Sequence, residues 1–492
     1  MKTPPNRVSA TALPRRFAPL WSGCLALAAG WALEAAARPN ILFLAVDDLR
    51  PQLGCYGNQL VKSPNIDRLA ASGMVFERAY CQVPVCGASR ASLLTGMRPT
   101  RTRFVTFDTR ADQDAPGVTT LPAYFRDHGY TTLSLGKVFH HRNDAPESWS
   151  EPAWRPKVID GNWRDYAGEA NRVAARENDG KGPPFENADV PDETYADGRI
   201  AARAVAELER LKQSGTPFFL AAGFLKPHLP FNAPKRYWDL YDARTMRLPA
   251  NYHPPDDVPA QAMHNWGELR GYATVPARGA VSDEMARTLI HGYHACVSYT
   301  DAQIGKVLDA VERLGLSENT IVVLWGDHGW NLGEHTLWCK HCNFDNALHV
   351  PLILRAPGVP GGRRTRALVE FVDIYPSLCE LAGLPWPRHL EGTSFRPLLD
   401  DPTRPWKTAV FSRWGAGDSI RTDTHLFTEW RDRNGAIVAR MLYDHRSDAA
   451  ENHNLGVRPE SRPLLQGLSR QLQAGWQVAR PFISATDSVQ MR

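Results

Sequence analysis

Cysteine is scarce and unpatterned in this chain: eight among 492 residues, widely spaced. That excludes the dense disulfide framework of small exported domains, because a chain this long can build its own core. There is no Lys/Arg block and the net charge is only +4, so no nucleic-acid partner is expected. No internal repeat or low-complexity segment is present. One apolar run stands out, from about Phe17 to Leu33, preceded by Lys2, Arg7, Arg15 and Arg16 and followed by Ala35-Ala36-Ala37. A basic start, a short apolar stretch and small residues at a cleavage site describe a secretory signal, with the mature chain starting near Arg38. Gly23, Gly30 and Glu34 make the run weak as a membrane span. The residues around Cys24 argue against lipid attachment, and no second span follows. The expectation is an exported protein, periplasmic or secreted, with no stable membrane span once residues 1–37 are removed.

What is present alternates. β-like runs and helical patterns succeed one another, which predicts an α/β sheet packed on both faces. The strand candidates are 40–46 (NILFLAV), 74–80, 131–140, 216–228, 319–329 and 350–358. The helix candidates are 63–73, with Ser63 as N-cap and Pro64 at the first position, 196–213, and 286–316, broken at Gly292. Residues 141–195 and 232–283 are rich in Pro, Gly, Trp and charge without a clear period. They are predicted to be long loops that shape a pocket. After residue 404 the texture changes, with β-like runs at 408–413, 424–430 and 437–443 and a helical segment near 459–478. This divides the mature chain into a main α/β domain, 38–404, and a smaller C-terminal α+β subdomain, 405–492.

Four β-like runs end in charged or imidazole residues: Asp47-Asp48, Lys137 with His140, Lys226 with His228, and Asp327-His328. One such pair is ordinarily a solvated strand end. Four are harder to dismiss, because strand carboxyl ends in an open α/β sheet border one crevice. Two adjacent carboxylates about 4 Å apart repel by roughly 4 kcal/mol at an effective dielectric near 20. A bound cation removes that cost. Oxygen ligands favour Ca²⁺ or Mg²⁺, and His328 leaves Mn²⁺ or Zn²⁺ open. Cys86 admits four readings: buried thiol, half of a disulfide, metal ligand or nucleophile. A helix starting there points unpaired N–H groups at an anion, with Arg90 one turn on along the same face. Cation, arginine, lysines and helix terminus together suit a tetrahedral oxyanion. Cys339 and Cys342 form a C-x-x-C without the second pair that a zinc site needs. A local disulfide or two free thiols is the expectation there.

These residues resemble a known family. CGASR (86–90) is similar to the sulfatase signature C-x-[PA]-S-R, with LLTG following at 93–96. VDDLRPQLGCYG, SPNIDRLAASG, GKVFH, PFFLAAGFLKPHLPF, GDHGWNLGEH and KHCNFDNALHVPLI extend the likeness from about residue 39 to 385. They resemble the iduronate-2-sulfatase branch. The resemblance implies an alkaline-phosphatase-like large mixed sheet flanked by helices. It implies that Cys86 is converted to formylglycine by a maturation enzyme, and that Asp47, Asp48, Asp327, His328 and residue 86 hold one Ca²⁺. Arg90, Lys137, His140, His228 and Lys340 then line the sulfate pocket, with Lys226 and Trp330 in matching motifs. A hydrated aldehyde attacks sulfur, His228 protonates the leaving alcohol, and His140 acts in sulfate release. The implied substrate is a sulfated sugar or oligosaccharide, such as a 2-O-sulfated uronic acid.

Some residues depart from the pattern. Ala88 replaces the commoner Pro after Gly87, a change expected to bear on maturation. Met97 stands in place of Arg, Gly326 in place of Ser, and His341 in place of an aromatic residue. Three competing readings remain: a phosphonate monoester or phosphodiester hydrolase on the same scaffold, a silent glycan binder with Cys86 as a thiol, and an oxidoreductase working through Cys339 and Cys342.

Overall fold

The computed structural model describes residues 38–481. The signal reading of 1–37 lies outside them. The frame is an eight-stranded mixed sheet. Its strands are β1 (Asn40–Val46), β2 (Met74–Tyr80), β3 (Thr131–Gly136), β4 (Phe218–Phe224), β5 (Thr320–Gly326), β6 (His349–Arg355), β7 (Arg363–Thr365) and β8 (Val369–Glu370). The order across the sheet is β7-β2-β6-β5-β1-β4-β3, with β8 also pairing with β2. β6 is antiparallel to both β2 and β5; the other pairings are parallel.

Strand β1 shows why the sheet is buried on both sides. Leu42, Leu44 and Val46 enter one core with α1 (Pro64–Ala71), α4 (Ala196–Ser214) and α5 (Asp283–Arg313). Ile41, Phe43 and Ala45 enter the other with α2 (Cys86–Thr95), α3 (Leu121–Asp127) and α6 (Ile374–Leu381). A strand with two covered faces needs a continuous apolar run, and NILFLAV provides one.

Beyond the sheet, β9 (Ala409–Trp414), β10 (Gly417–Thr422), β11 (His425–Arg431) and β12 (Ile437–Asp444) form an antiparallel sheet. One face packs on α7 (Arg462–Ala474) through Ile420, Phe427, Leu442, Leu465 and Leu468. The other carries Trp430, Met441 and Tyr443 against Leu337, Cys342 and Phe344. That contact supports the segment bearing Lys340.

The structure corrects several expectations. Helix α5 is continuous through Gly292. A Cβ there would lie 2.7 Å from the Trp238 ring and 2.9 Å from Phe231, so the glycine serves close packing and not a break. Ser63 precedes α1, but its side chain does not cap it; its Oγ bonds Gly54 N and Asp67. Strand β10, GDSIRT, escaped prediction because it lacks apolar alternation. The segment 141–195 includes one helix, Glu169–Glu177, that was not expected. Of the two readings offered for Cys339 and Cys342, the structure has the second: both are free, buried thiols. Among the described residues, no helix is long and apolar enough to cross a membrane.

Candidate functional site

Register brings the strand ends together. Val46 pairs with both Gly326 and Phe224, and Gly136 with Gly223. Beyond the ladder, Asp327 N–H donates to Val46 O, Asp47 N–H to Phe224 O, and Lys137 N–H to Gly223 O. Four polar strand ends thereby share one crevice, as expected at the carboxyl edge of parallel strands. Gly326 permits this closure: a Cβ there would lie 2.2 Å from Leu49 O. Asp48 takes a positive φ of 59°, uncommon for a residue with a Cβ, and its N–H donates to Asp327 Oδ1 at 2.9 Å.

The acidic residues meet the start of α2. Asp47, Cys86, Asp327 and His328 place ligand atoms within 4.8 Å of one another, as do Asp47, Asp48, Cys86 and His228. His328 Nδ1 lies 3.0 Å from Gly329 O. With a proton there, Nε2 offers its lone pair towards Cys86 Sγ (3.2 Å) and Asp48 Oδ1 (3.3 Å). An imidazole anchored through one nitrogen and bare at the other is the arrangement of a metal-bound histidine. Four carboxylates, Asp47, Asp48, Asp327 and Glu268, face three permanent cations, Arg90, Lys137 and Lys340. A sulfate ester would add further negative charge. A hard divalent cation fits both the oxygen-rich donors and this deficit.

Helix α2 is buried along its whole length, and Val85 at its start caps no amide through its side chain. Gly87 is required there: a Cβ would lie 2.2 Å from Phe107 O, so the loop carrying Phe107 rests on the helix start. Arg90 is wholly enclosed. It spends four of its five N–H donors on Asp327 Oδ2 (2.9 Å), Asp47 Oδ1 (3.0 Å) and the Lys137 and Val138 carbonyls. It therefore braces two carboxylates from behind. Lys137 Nζ bonds Asp47 Oδ2. Burial opposes ionisation of Asp47, but Lys137 and Arg90 hold its carboxyl well below the usual range. Burial, reinforced by Asp47, pushes Asp48 well above it despite Lys340. Burial and Asp47 raise the Cys86 thiol to about 12.

Lys340 lies between two residues of positive φ, Cys339 (72°) and His341 (62°), conformations that persist only where the surroundings enforce them. Its Nζ reaches Asp48 (3.2 Å) and Glu268 Oε1 (2.8 Å) and sits 4.8 Å from the Trp330 ring centre. His228 Nδ1 is 2.6 Å from Leu229 O and its Nε2 3.1 Å from Glu268 Oε1. Oxygen at both nitrogens favours a proton on each, while burial and Lys340 lower its pKa against the pull of Asp47 and Glu268. His140 stands edge-on to Phe107 with its Nδ1 buried and unpartnered. Burial, then Lys137, takes its pKa to about 2, which keeps it neutral.

Lys226 is turned away from the cluster, donating to the carbonyls of His228 and Pro230. Glu268, in a short helical turn Gly267–Arg270, was not foreseen. The signal available was an acid between Trp266 and Leu269, an apolar pair that anchors the turn by burial.

Comparisons with known proteins identify the family. A family model described as Sulfatase matches residues 39–384, and one described as N-sulphoglucosamine sulphohydrolase, C-terminal, matches 333–477. The chain is 39% identical to iduronate 2-sulfatase of Mus musculus over 419 residues, covering 76% of this chain and 74% of the other. It is 34% identical to iduronate 2-sulfatase of Homo sapiens over 517 residues, with 87% and 92% covered. Among solved structures, BT4656 in complex with its substrate D-glucosamine-2-N,6-O-disulfate superposes with a TM-score of 0.72 at 22% identity, covering 89% of this chain and 97% of that one. Phosphonate monoester hydrolase SpPMH from Silicibacter pomeroyi gives 0.73 at 24% identity, with 90% and 96% covered. The solved neighbours establish the scaffold alone; the sequence relatives go further, and on them this chain belongs to the sulfatase family and is a sulfuric ester hydrolase.

Proposed function

We propose that the protein is an exported sulfatase acting on sulfated sugars, foremost a 2-O-sulfated uronic acid of the iduronate type, with formylglycine derived from Cys86 and one Ca²⁺. The observation that carries this is the convergence of Asp47, Asp48, Asp327 and His328 on residue 86 at the start of α2. The likeness to the two iduronate 2-sulfatases supports the choice of sugar. In this reading residues 1–37 are the secretory signal, 38–404 the catalytic domain and 405–492 the subdomain that supports the Lys340 segment. A formylglycine-generating enzyme is the maturation partner.

When present, formylglycine at residue 86 would supply a hydroxyl nucleophile and a bound cation would supply positive charge beside the transferring group. Asp47, Asp48, Asp327 and His328 would hold the cation, and Arg90 fixes Asp47 and Asp327 in place. Lys137 and Lys340 offset the charge that grows on the transferring group. His228 delivers a proton to the leaving sugar oxygen, a role worth about 10²–10⁴ in rate. His140, held neutral, accepts a proton in the step that frees sulfate. Arg90 thus acts through the carboxylates, one remove from the contact that the resemblance implies.

The test is a screen of the mature, Ca²⁺-loaded enzyme on defined sulfated oligosaccharides beside aryl sulfate, phosphate and phosphonate esters. Preferred release of sulfate from 2-sulfated uronosides is the expected result. The likeness to SpPMH makes phosphorus esters the competing outcome, and a preference for them would overturn the proposal. Mass spectrometry of the peptide containing residue 86 should show the aldehyde, and an intact thiol in native protein would sink the mechanism.

A further inference from the structure

Glu268 is the one acid at this site that the loop 232–283 delivers. Its two oxygens are used unequally. Oε1 bridges Lys340 and His228 at 2.8 and 3.1 Å. Oε2 is buried and has no hydrogen-bond partner, and His341 Nδ1 is 4.0 Å away. A buried carboxylate oxygen without a donor is costly, and such a group in a native structure calls for an explanation. Aromatic rings stand against the two histidines nearest it. Trp163, 41% exposed, meets the His228 ring edge-on at 5.4 Å, and Trp414 lies over His341 at 5.0 Å. A half-exposed indole against His228, with a free acceptor on the acid that His228 contacts, offers a sugar ring an apolar face and a polar edge.

The placement says what that acceptor meets. If His228 Nε2 serves the leaving oxygen, the sulfated carbon of the sugar lies at His228. Its vicinal hydroxyl is then about one hydrogen-bond length from the leaving oxygen, and Glu268, 3.1 Å from the same imidazole nitrogen, is the acid next to that position. We propose that Glu268 is a specificity-determining residue whose Oε2 accepts a hydrogen bond from the hydroxyl next to the sulfated carbon. This rests on the sulfatase reading above and adds what the pocket recognises beside the sulfate. For a 2-sulfated uronoside at a chain end the group is the 3-hydroxyl. The same carboxylate repels the carboxylate of the sugar, which is therefore directed away from Glu268. A sugar lacking the hydroxyl leaves Oε2 unpaired in a dry site, the situation in which a polar pocket discriminates strongly.

The experiment measures kcat/KM for a 2-sulfated uronoside and its 3-deoxy counterpart with the mature wild-type enzyme, Glu268→Ala and Glu268→Gln. The wild type should lose on the order of 10²-fold on removal of the hydroxyl. Glu268→Ala should lose only a few-fold between the two substrates, because the coupling between carboxylate and hydroxyl is gone. Glu268→Gln keeps the shape of the side chain and should fall between them. Equal penalties in wild type and both variants would overturn the proposal while leaving the sulfatase function intact. A wild type that cleaves phosphorus esters and no sulfated sugar would remove the reading on which it rests.

Discussion

The charges around Asp47, Asp48 and Asp327 and those around Glu370 and Asp373 are buried to a similar depth, and both mix carboxylates with lysine and arginine. Their bonding differs. At the second cluster Arg98 grips both oxygens of Glu370 at 2.6 Å, and Lys407 reaches Glu370 Oε2 and both oxygens of Asp373. The N–H groups of Phe411, Thr393 and Glu370 supply the remaining donors. Each of the four carboxylate oxygens has at least two donors, and two positive charges match two negative ones. At the strand ends, carboxylates outnumber permanent cations, Asp47 Oδ1 has the single donor Arg90, and Glu268 Oε2 has none. The closed cluster fastens Glu370 and Asp373 to Lys407 and Phe411. The open one keeps lone pairs for something the chain does not itself provide. Burial alone does not separate a structural charge from a working one; unspent bonding capacity does.

The largest break of this contrast is Cys86→Ala. It removes the proposed nucleophile and spares every charge in both clusters. Turnover should fall on the order of 10⁶-fold, while the unfolding free energy moves by about 1 kcal/mol, the centre of the range for single substitutions. Sugar-sulfate kinetics and urea denaturation check the two halves. A variant that unfolds easily would place Cys86 in the architecture and not in the chemistry.

Lys407→Met makes the opposite change. It strands Glu370 and Asp373 beside each other with one cation fewer. Breaking a buried ion pair in this way costs about 3–5 kcal/mol. The urea midpoint should drop accordingly while kcat of the folded fraction stays at the wild-type level. Loss of kcat without loss of stability would show that the second cluster communicates with the site.

The sequence carried the strand ends because β1, β4 and β5 are buried on both faces and must be continuous apolar runs that stop where the crevice opens. Asp47, Asp327 and His328 are visible for that reason, one residue or two beyond each run. Glu268 was hidden because its loop has no period: a lone acid between Trp266 and Leu269 looks like any surface turn until the chain folds over His228. Gly292 misled for a related reason. Local propensity treats a glycine in a helix as weakness, whereas here the Trp238 ring sets the requirement from another element. The same holds for Gly87, whose reason lies in the Phe107 carbonyl and not in its own helix. The Glu370 cluster joins residues 98, 370, 373 and 407 with no shared motif, so no local pattern announces it.

The smallest effect is a pH dependence. Burial works against the Glu370 carboxylate, but Arg98 and Lys407 outweigh it and lower the pKa from 4.5 to about 2. A carboxyl depressed by folding contributes stability that is fully present above its unfolded value and is lost as pH falls through the folded one. The window therefore runs from pH 4.5 down to about 2. Asp373, which burial raises against the pull of Lys407, offsets part of it. Glu370→Gln removes this proton-linked share, so wild type and variant should differ most near neutral pH and converge as the window is crossed. Calcium makes the contrast sharper. A ligand at 100 times its dissociation constant adds about 2.7 kcal/mol to the folded state. On the proposal that Ca²⁺ binds the strand-end carboxylates, that increment should appear equally in wild type and Glu370→Gln. Urea denaturation across the window, with and without Ca²⁺, tests both statements. If the gain from Ca²⁺ depends on Glu370, the two clusters are one linked system and the distinction between closed and open charge fails.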